Sequence, residues 1–135
     1  MCWYGYKIQR RVAEKDIEVY KIGRVQDNRF TCEFQWYSYE KGVVNKELVL
    51  KEEPHWLGYI TINEGYHSYK RVSIRFNSLS GKVKYIYRGY IIQPYLDDSY
   101  DLATFIIPKG SIYYENLDGE IVSSNIIYTG RYLRL

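Results

Sequence analysis

The residue types best suited to chemistry gather at Gly65-Tyr66-His67-Ser68-Tyr69-Lys70-Arg71. A neutral imidazole donates and accepts hydrogen bonds and titrates near neutral pH, so His67 could orient a ligand. Tyr66 and Tyr69 offer ring faces for stacking, and Ser68 offers a hydroxyl. Lys70 and Arg71 bring positive charge, and Tyr20-Lys21, far earlier in the chain, would add a ring and an ammonium. His67, Tyr69, Tyr66, Ser68, Lys21, Tyr20, Lys70 and Arg71 thus make up a candidate site for a nucleotide-like small molecule. No residue in it is assigned a catalytic role, because one histidine without a nucleophile or an orienting acid is not a catalytic set. The plainer alternative is a histidine satisfied by backbone beside a solvated basic face.

An anion site at that position needs an element that presents backbone N–H groups. Tyr69, Val72, Phe76, Leu79, Val83 and Ile86 recur at helical spacing, whereas Val72, Ile74 and Phe76 alternate as in a strand. The first pattern predicts a short helix over 69–79, stopped at Ser80-Gly81, whose N-terminus would favour an anion. Lys82 to Ile92 then reads as a strand, followed by a loop with Asp97-Asp98 at its tip.

The rest of the chain reads as strands. Asp16 to Ile22 alternates, and Gly23 to Arg29 is polar and reads as a loop. Phe30 to Tyr39 reads as one half-buried strand, with Phe30, Cys32, Phe34 and Trp36 on one face. His55-Trp56 follows Pro54 and reads as a loop anchor ahead of a strand ending at Ile62. Tyr100 to Ile107 and Ser111 to Glu115 flank a Pro108-Lys109-Gly110 corner. Asn116-Leu117-Asp118-Gly119 fits a type I turn with Gly119 left-handed. Glu120 to Val122, Asn125 to Tyr128 and Arg131 to Leu135 complete a meander, broken at Thr129-Gly130, and Arg131 and Arg134 would guard its exposed edge. Residues 1 to 15 show no clear period.

Composition bounds the answer. A chain of 135 residues, 46% hydrophobic and 26% charged, is that of one soluble globular domain. There is no apolar run long enough for a membrane helix and no signal pattern at the N-terminus, so the expected location is cytoplasmic. Cys2 and Cys32 make no disulfide framework and are expected to be free thiols. Two cysteines and two histidines at unrelated spacings give no metal site, and no cofactor motif is present. A net charge of +3 is a weak signal for nucleic acid. Tyrosine stands out, with 17 residues against four Phe and three Trp. Each ring packs as an apolar body and keeps a polar handle, which suits a recognition face as well as a strand. Such a face admits a protein partner, a small molecule or a homo-oligomer.

Three stretches carry a resemblance. Asp16-Ile17-Glu18-Val19-Tyr20-Lys21, Gly65-Tyr66-His67-Ser68-Tyr69, and Ile106-Ile107-Pro108-Lys109-Gly110-Ser111-Ile112-Tyr113-Tyr114 with Gly119-Glu120-Ile121-Val122-Ser123 resemble an uncharacterised family of small proteins from gut bacteria and their phages. That resemblance covers most of residues 16 to 128 and implies a short helix after the middle motif, but no activity. A more distant likeness is to ADP-ribosyltransferase-like folds, which would imply a catalytic glutamate on the late strand. Glu115 and Glu120 are its candidates here, with His67 and Lys21 in the same cleft.

The expectation is an α+β single domain, a mainly antiparallel twisted β-sheet with one short helix, acting as a non-enzymatic binding or interaction domain through a Tyr-rich face. Two alternatives stand beside it: an ADP-ribosyltransferase-like nucleotide-binding domain, active or degenerate, and a structural component of a phage or mobile-element assembly.

Overall fold

A computed structural model describes residues 3–32, 37–76, 84–88, 91–95 and 100–134, with backbone alone over 73–76, 84–88 and 91–95. Its strands in chain order are β1 (Trp3–Tyr6), β2 (Arg11–Val12), β3 (Ile17–Gln26), β4 (Arg29–Cys32), β5 (Ser38–Glu40), β6 (Glu53–Pro54), β7 (Tyr59–Ile62) and β8 (Tyr66–Tyr69). They continue with β9 (Val72–Phe76), β10 (Lys84–Arg88), β11 (Ile91–Tyr95), β12 (Asp101–Ile107), β13 (Ile112–Glu115), β14 (Glu120–Ser123) and β15 (Ile127–Arg134). The helical content among these residues is one 3₁₀ turn, Trp56–Gly58.

The long strand β3 organises the rest. One edge pairs along its first seven residues with β12, which pairs in turn with β15. The other edge meets β8 at Tyr20 and β4 from Gly23 onward. Gly23 sits where the partner changes, and a Cβ there would lie 2.1 Å from the Thr31 carbonyl oxygen, so only glycine fits. β4 pairs with β5, and just past β5 Lys41 bridges Tyr128 of β15 while the Gly42 N–H donates to the Tyr128 carbonyl at 2.8 Å. The ring β3–β4–β5–β15–β12 therefore closes into a small barrel, which hides its strand edges. Its core is aromatic. Phe30 meets Phe105 edge to face at 5.0 Å, and Tyr39 meets Phe105 in the same way at 5.2 Å. Such pairs add about 0.5–1.5 kcal/mol each beyond the area they bury.

From β8 the sheet runs on through β14, β13 and β2. Its outer face is covered by a second, three-stranded sheet, β1–β7–β6. Trp3 and Ile62 of that layer pack on Tyr114 and Val122 as a second core. The alternation Trp3-Tyr4-Gly5-Tyr6 makes this possible: Trp3 and Gly5 are buried, Tyr4 and Tyr6 exposed. Strands β9, β10 and β11 form a third antiparallel sheet.

The mainly antiparallel sheet is as expected, but several local readings are corrected. Residues Val72–Phe76 are a strand, not part of a helix; their β-branched alternation is satisfied by pairing with β10, Val72 opposite Arg88 and Phe76 opposite Lys84. The rest of the predicted helix, 77–79, lies outside the described residues, as do Gly81 and Asp97-Asp98. Gly23 to Gln26 continue β3, and the turn is confined to Asp27-Asn28, both at positive φ of 51° and 62° as a two-residue hairpin demands. Phe30 to Tyr39 is a hairpin rather than one strand, with the Cys32 N–H donating to the Tyr37 carbonyl at 2.9 Å; Phe34 and Trp36 lie outside the described residues. β15 passes through Thr129-Gly130 without a break, with a register shift opposite Thr104 and Gly130 at φ 86°. Gly119 takes φ 79°, as the turn chemistry predicts. Its N–H donates to the Asn116 carbonyl at 3.1 Å, and Asn116 Oδ1 accepts from the N–H groups of Asp118 and Glu120.

Candidate functional site

Strand alternation divides the residues that the sequence places in one site. Tyr66 and Ser68 of β8 point into the barrel-side core and are almost fully buried, while His67 and Tyr69 face the other way and are half-buried. Tyr66 donates its hydroxyl to the Lys46 carbonyl at 2.5 Å, and burial pushes its pKa up to about 12. The Ser68 hydroxyl is buried with no hydrogen-bond partner among the described residues. Tyr20 aligns with Tyr69 across β3 and β8, and its hydroxyl donates to Glu18 at 2.8 Å. Lys21, the next residue, faces the interior. Its ammonium donates to the His67 carbonyl and lies 5.7 Å from the Tyr39 ring centre and 6.0 Å from that of Phe105. Desolvation lowers its pKa, and the nearby Cys32 thiol pulls the other way. Burial raises the pKa of Cys32 itself.

Only parts of the expected set therefore come together. Lys21 reaches His67 through backbone, and Tyr20, Tyr69 and Glu120 share one row across three strands. Lys21 and Glu120 are on opposite faces of the sheet. Burial, ahead of the nearby Asp118, raises the pKa of Glu120, and Glu115 pairs with exposed Lys70 at 3.5 Å. Arg71 is exposed. The segment after Tyr69 leads into β9, so the helix N-terminus on which the anion argument depended is not there.

A second constellation lies on the exposed face of β1–β7–β6. Tyr4 pairs with Thr61 and Tyr6 with Tyr59, and the register carries on to Glu53 beside Thr61. The His55 N–H donates to the Tyr59 carbonyl at 2.7 Å, which puts His55 next to Tyr59. Two rows result: Tyr4–Thr61–Glu53 and Tyr6–Tyr59–His55. The three phenol rings touch, Tyr4 on Tyr59 at 5.0 Å and 23° and Tyr6 on Tyr59 at 4.9 Å and 43°. The Lys7 ammonium lies 5.3 Å from the centre of the Tyr6 ring. Beside the rings runs a hydrogen-bonded polar chain. Asn63 Nδ2 donates to Glu53 Oε2 at 3.1 Å, Thr61 Oγ1 donates to the same oxygen at 3.4 Å, and His55 Nε2 meets Thr61 Oγ1 at 2.8 Å.

The turn into β7 extends this face. Trp56 is 86% exposed, so it is not the loop anchor that the sequence predicts, and Leu57 beside it is 74% exposed at φ 61°. A bulky side chain rarely adopts that conformation, and here the turn holds two large apolar groups in solvent. Sequence reasoning missed Tyr4, Tyr6, Tyr59 and Trp56. The available signal was local: Trp3 and Gly5 alternate with Tyr4 and Tyr6, a large-small core pattern beside a run of rings.

The chain matches no protein-family model, no curated protein and no solved structure. Among the described residues no helix is long and apolar enough to cross a membrane, and no group of three or more His, Cys, Asp or Glu side chains could hold a metal ion.

Proposed function

We propose that this chain is a non-enzymatic recognition module and that its binding face is the outer surface of β1–β7–β6. The observation that carries the proposal is the contiguous set of Tyr4, Tyr59 and Tyr6 rings on that face, with Tyr4 and Tyr6 exposed, Tyr59 half-buried, and exposed Trp56 in the turn that leads into β7. The opposite face of the same small sheet supports it, since Trp3 and Ile62 are fully packed there. The rings are thus held on a layer fixed from behind, and a fixed platform loses little entropy on binding. Tyrosine and tryptophan are also the side chains that dominate binding energy at recognition surfaces.

The test is an array of oligosaccharides, peptides and oligonucleotides, probed with wild type and with a Tyr4→Ser, Trp56→Ala double variant. Both substituted side chains are largely exposed, so the variant should melt within a few degrees of wild type, about the effect of a surface change. Loss of every bound ligand in the variant is the expected result. Ligands retained in full would put the binding face elsewhere. If wild type itself binds nothing, the structural-component reading takes its place.

A further inference from the structure

The Tyr face carries two kinds of group side by side, and their combination restricts what can lie on it. Resting on the recognition-module reading, we infer that the ligand is a neutral glycan chain. The ring faces give an apolar, electron-rich surface that attracts the polarised C–H groups of a sugar face. The adjoining chain Asn63–Glu53–Thr61–His55 offers an amide, a carboxylate, a hydroxyl and an imidazole within one connected network. A sugar hydroxyl donates one hydrogen bond and accepts others, so it matches a row that mixes both roles.

Charge separates this class from its competitors. The contacts that build the face include an ammonium, Lys7 over Tyr6, and a carboxylate, Glu53, which accepts from both Asn63 and Thr61 in the polar row. A nucleic-acid strand also stacks on aromatic rings, but it needs cations along its phosphates, and Glu53 would repel them. An anionic membrane surface meets the same objection, although exposed Trp56 and Leu57 would suit its interface. An uncharged polyol avoids this repulsion and uses the carboxylate as an acceptor. The turn at Trp56–Gly58 adjoins the Tyr6 end of the sheet, where the Lys7 N–H donates to the Gly58 carbonyl at 2.9 Å, and its exposed Trp56 would serve as a further stacking surface.

The experiment is calorimetry with neutral hexasaccharides built from glucose, xylose, mannose and N-acetylglucosamine. A thymidine oligonucleotide and vesicles of phosphatidylcholine with phosphatidylglycerol are run alongside. At least one hexasaccharide should bind, with affinity changing less than about twofold over a tenfold rise in salt. Tyr6→Ala and Trp56→Ala should each weaken it by roughly tenfold, in line with the loss of a stacking surface. Glu53→Gln, which keeps the shape and removes the charge, should weaken it by about fivefold through the loss of charge-assisted bonds. A glycan bound equally well by all three variants overturns the inference. So does salt-dependent binding of the oligonucleotide or vesicles through the same residues, without any hexasaccharide, which leaves the recognition-module reading standing. No binding of any probe also overturns the inference, and the recognition-module reading then stands or falls with the peptides of the array.

Discussion

Replacing Gly5 by alanine tests how the platform is held to the body. A Cβ at Gly5 would lie 2.5 Å from Trp3 Cη2, 2.9 Å from Trp3 Cζ3 and 2.8 Å from Ile8 Cγ1. Trp3 has little room to move. It is 1% exposed, lies 5.9 Å from the Tyr114 ring, and donates its indole N–H to the Glu120 carbonyl at 3.1 Å. Overpacking of this kind costs about 1–3 kcal/mol. Displacing the indole N–H from its acceptor adds about 0.5–1.5 kcal/mol. Gly5→Ala should therefore destabilise by about 2–4 kcal/mol in urea denaturation, read as a lower midpoint at unchanged slope. Trp3→Phe supplies a second arm, because the atoms nearest the new methyl belong to the six-membered ring of the indole, which phenylalanine places closer to the backbone. The double variant should be less destabilised than the sum of the singles, by at least about 1 kcal/mol. Additive effects, or a Gly5→Ala change within about 0.5 kcal/mol of zero, would refute the argument that this glycine exists to make room for Trp3.

Gly119→Ala should cost about 1 kcal/mol from left-handed backbone alone, since the nearest atom to a Cβ there is Lys70 Cβ at 3.9 Å; an unchanged melting temperature would count against this. Asp101 is buried and accepts from the Val25 N–H at 2.9 Å and from Arg134 Nε at 3.2 Å. Asp101→Ala should destabilise by about 1–3 kcal/mol by orphaning that N–H, and equality with wild type in denaturant would show that water substitutes freely. Tyr66 and Tyr114 are raised from 10.0 to about 12, by burial first, so their stabilising effect is whole below pH 10 and is lost as pH climbs toward 12. In an ultraviolet titration of the folded protein these two should lag behind the exposed tyrosines; a single step near 10 for all would contradict their burial. Thiol titration of the denatured chain without reductant should count two groups, Cys2 and Cys32, and a count of zero would mean a disulfide.

Much of the sheet is legible in the sequence because its signals are local. Ile17 to Ile22 and Thr104 to Ile107 are rich in β-branched and aromatic residues, and both lie in strands that pair with each other. Asn116 to Gly119 specifies its own turn, because the Asn116 side chain and a residue tolerant of positive φ are enough to close it. Burial of Val19, Phe30 and Phe105 follows from the same alternation.

What depends on distant partners is not legible. Residues 72–76 satisfy a helical period and a strand period together, and the choice falls to β10, whose backbone completes the ladder. The predicted site fails to converge for a related reason. Consecutive residues on a strand face opposite ways, so Tyr66 and Ser68 leave for the core while His67 and Tyr69 stay outside, whatever chemistry their types share. The Tyr face exists only because Trp3 and Ile62 find Tyr114 and Val122 over a hundred residues away in one case and about fifty in the other. A tyrosine's type says that it can bind. Which side of the sheet it occupies, and which rings lie beside it, is decided by the packing of one layer on another.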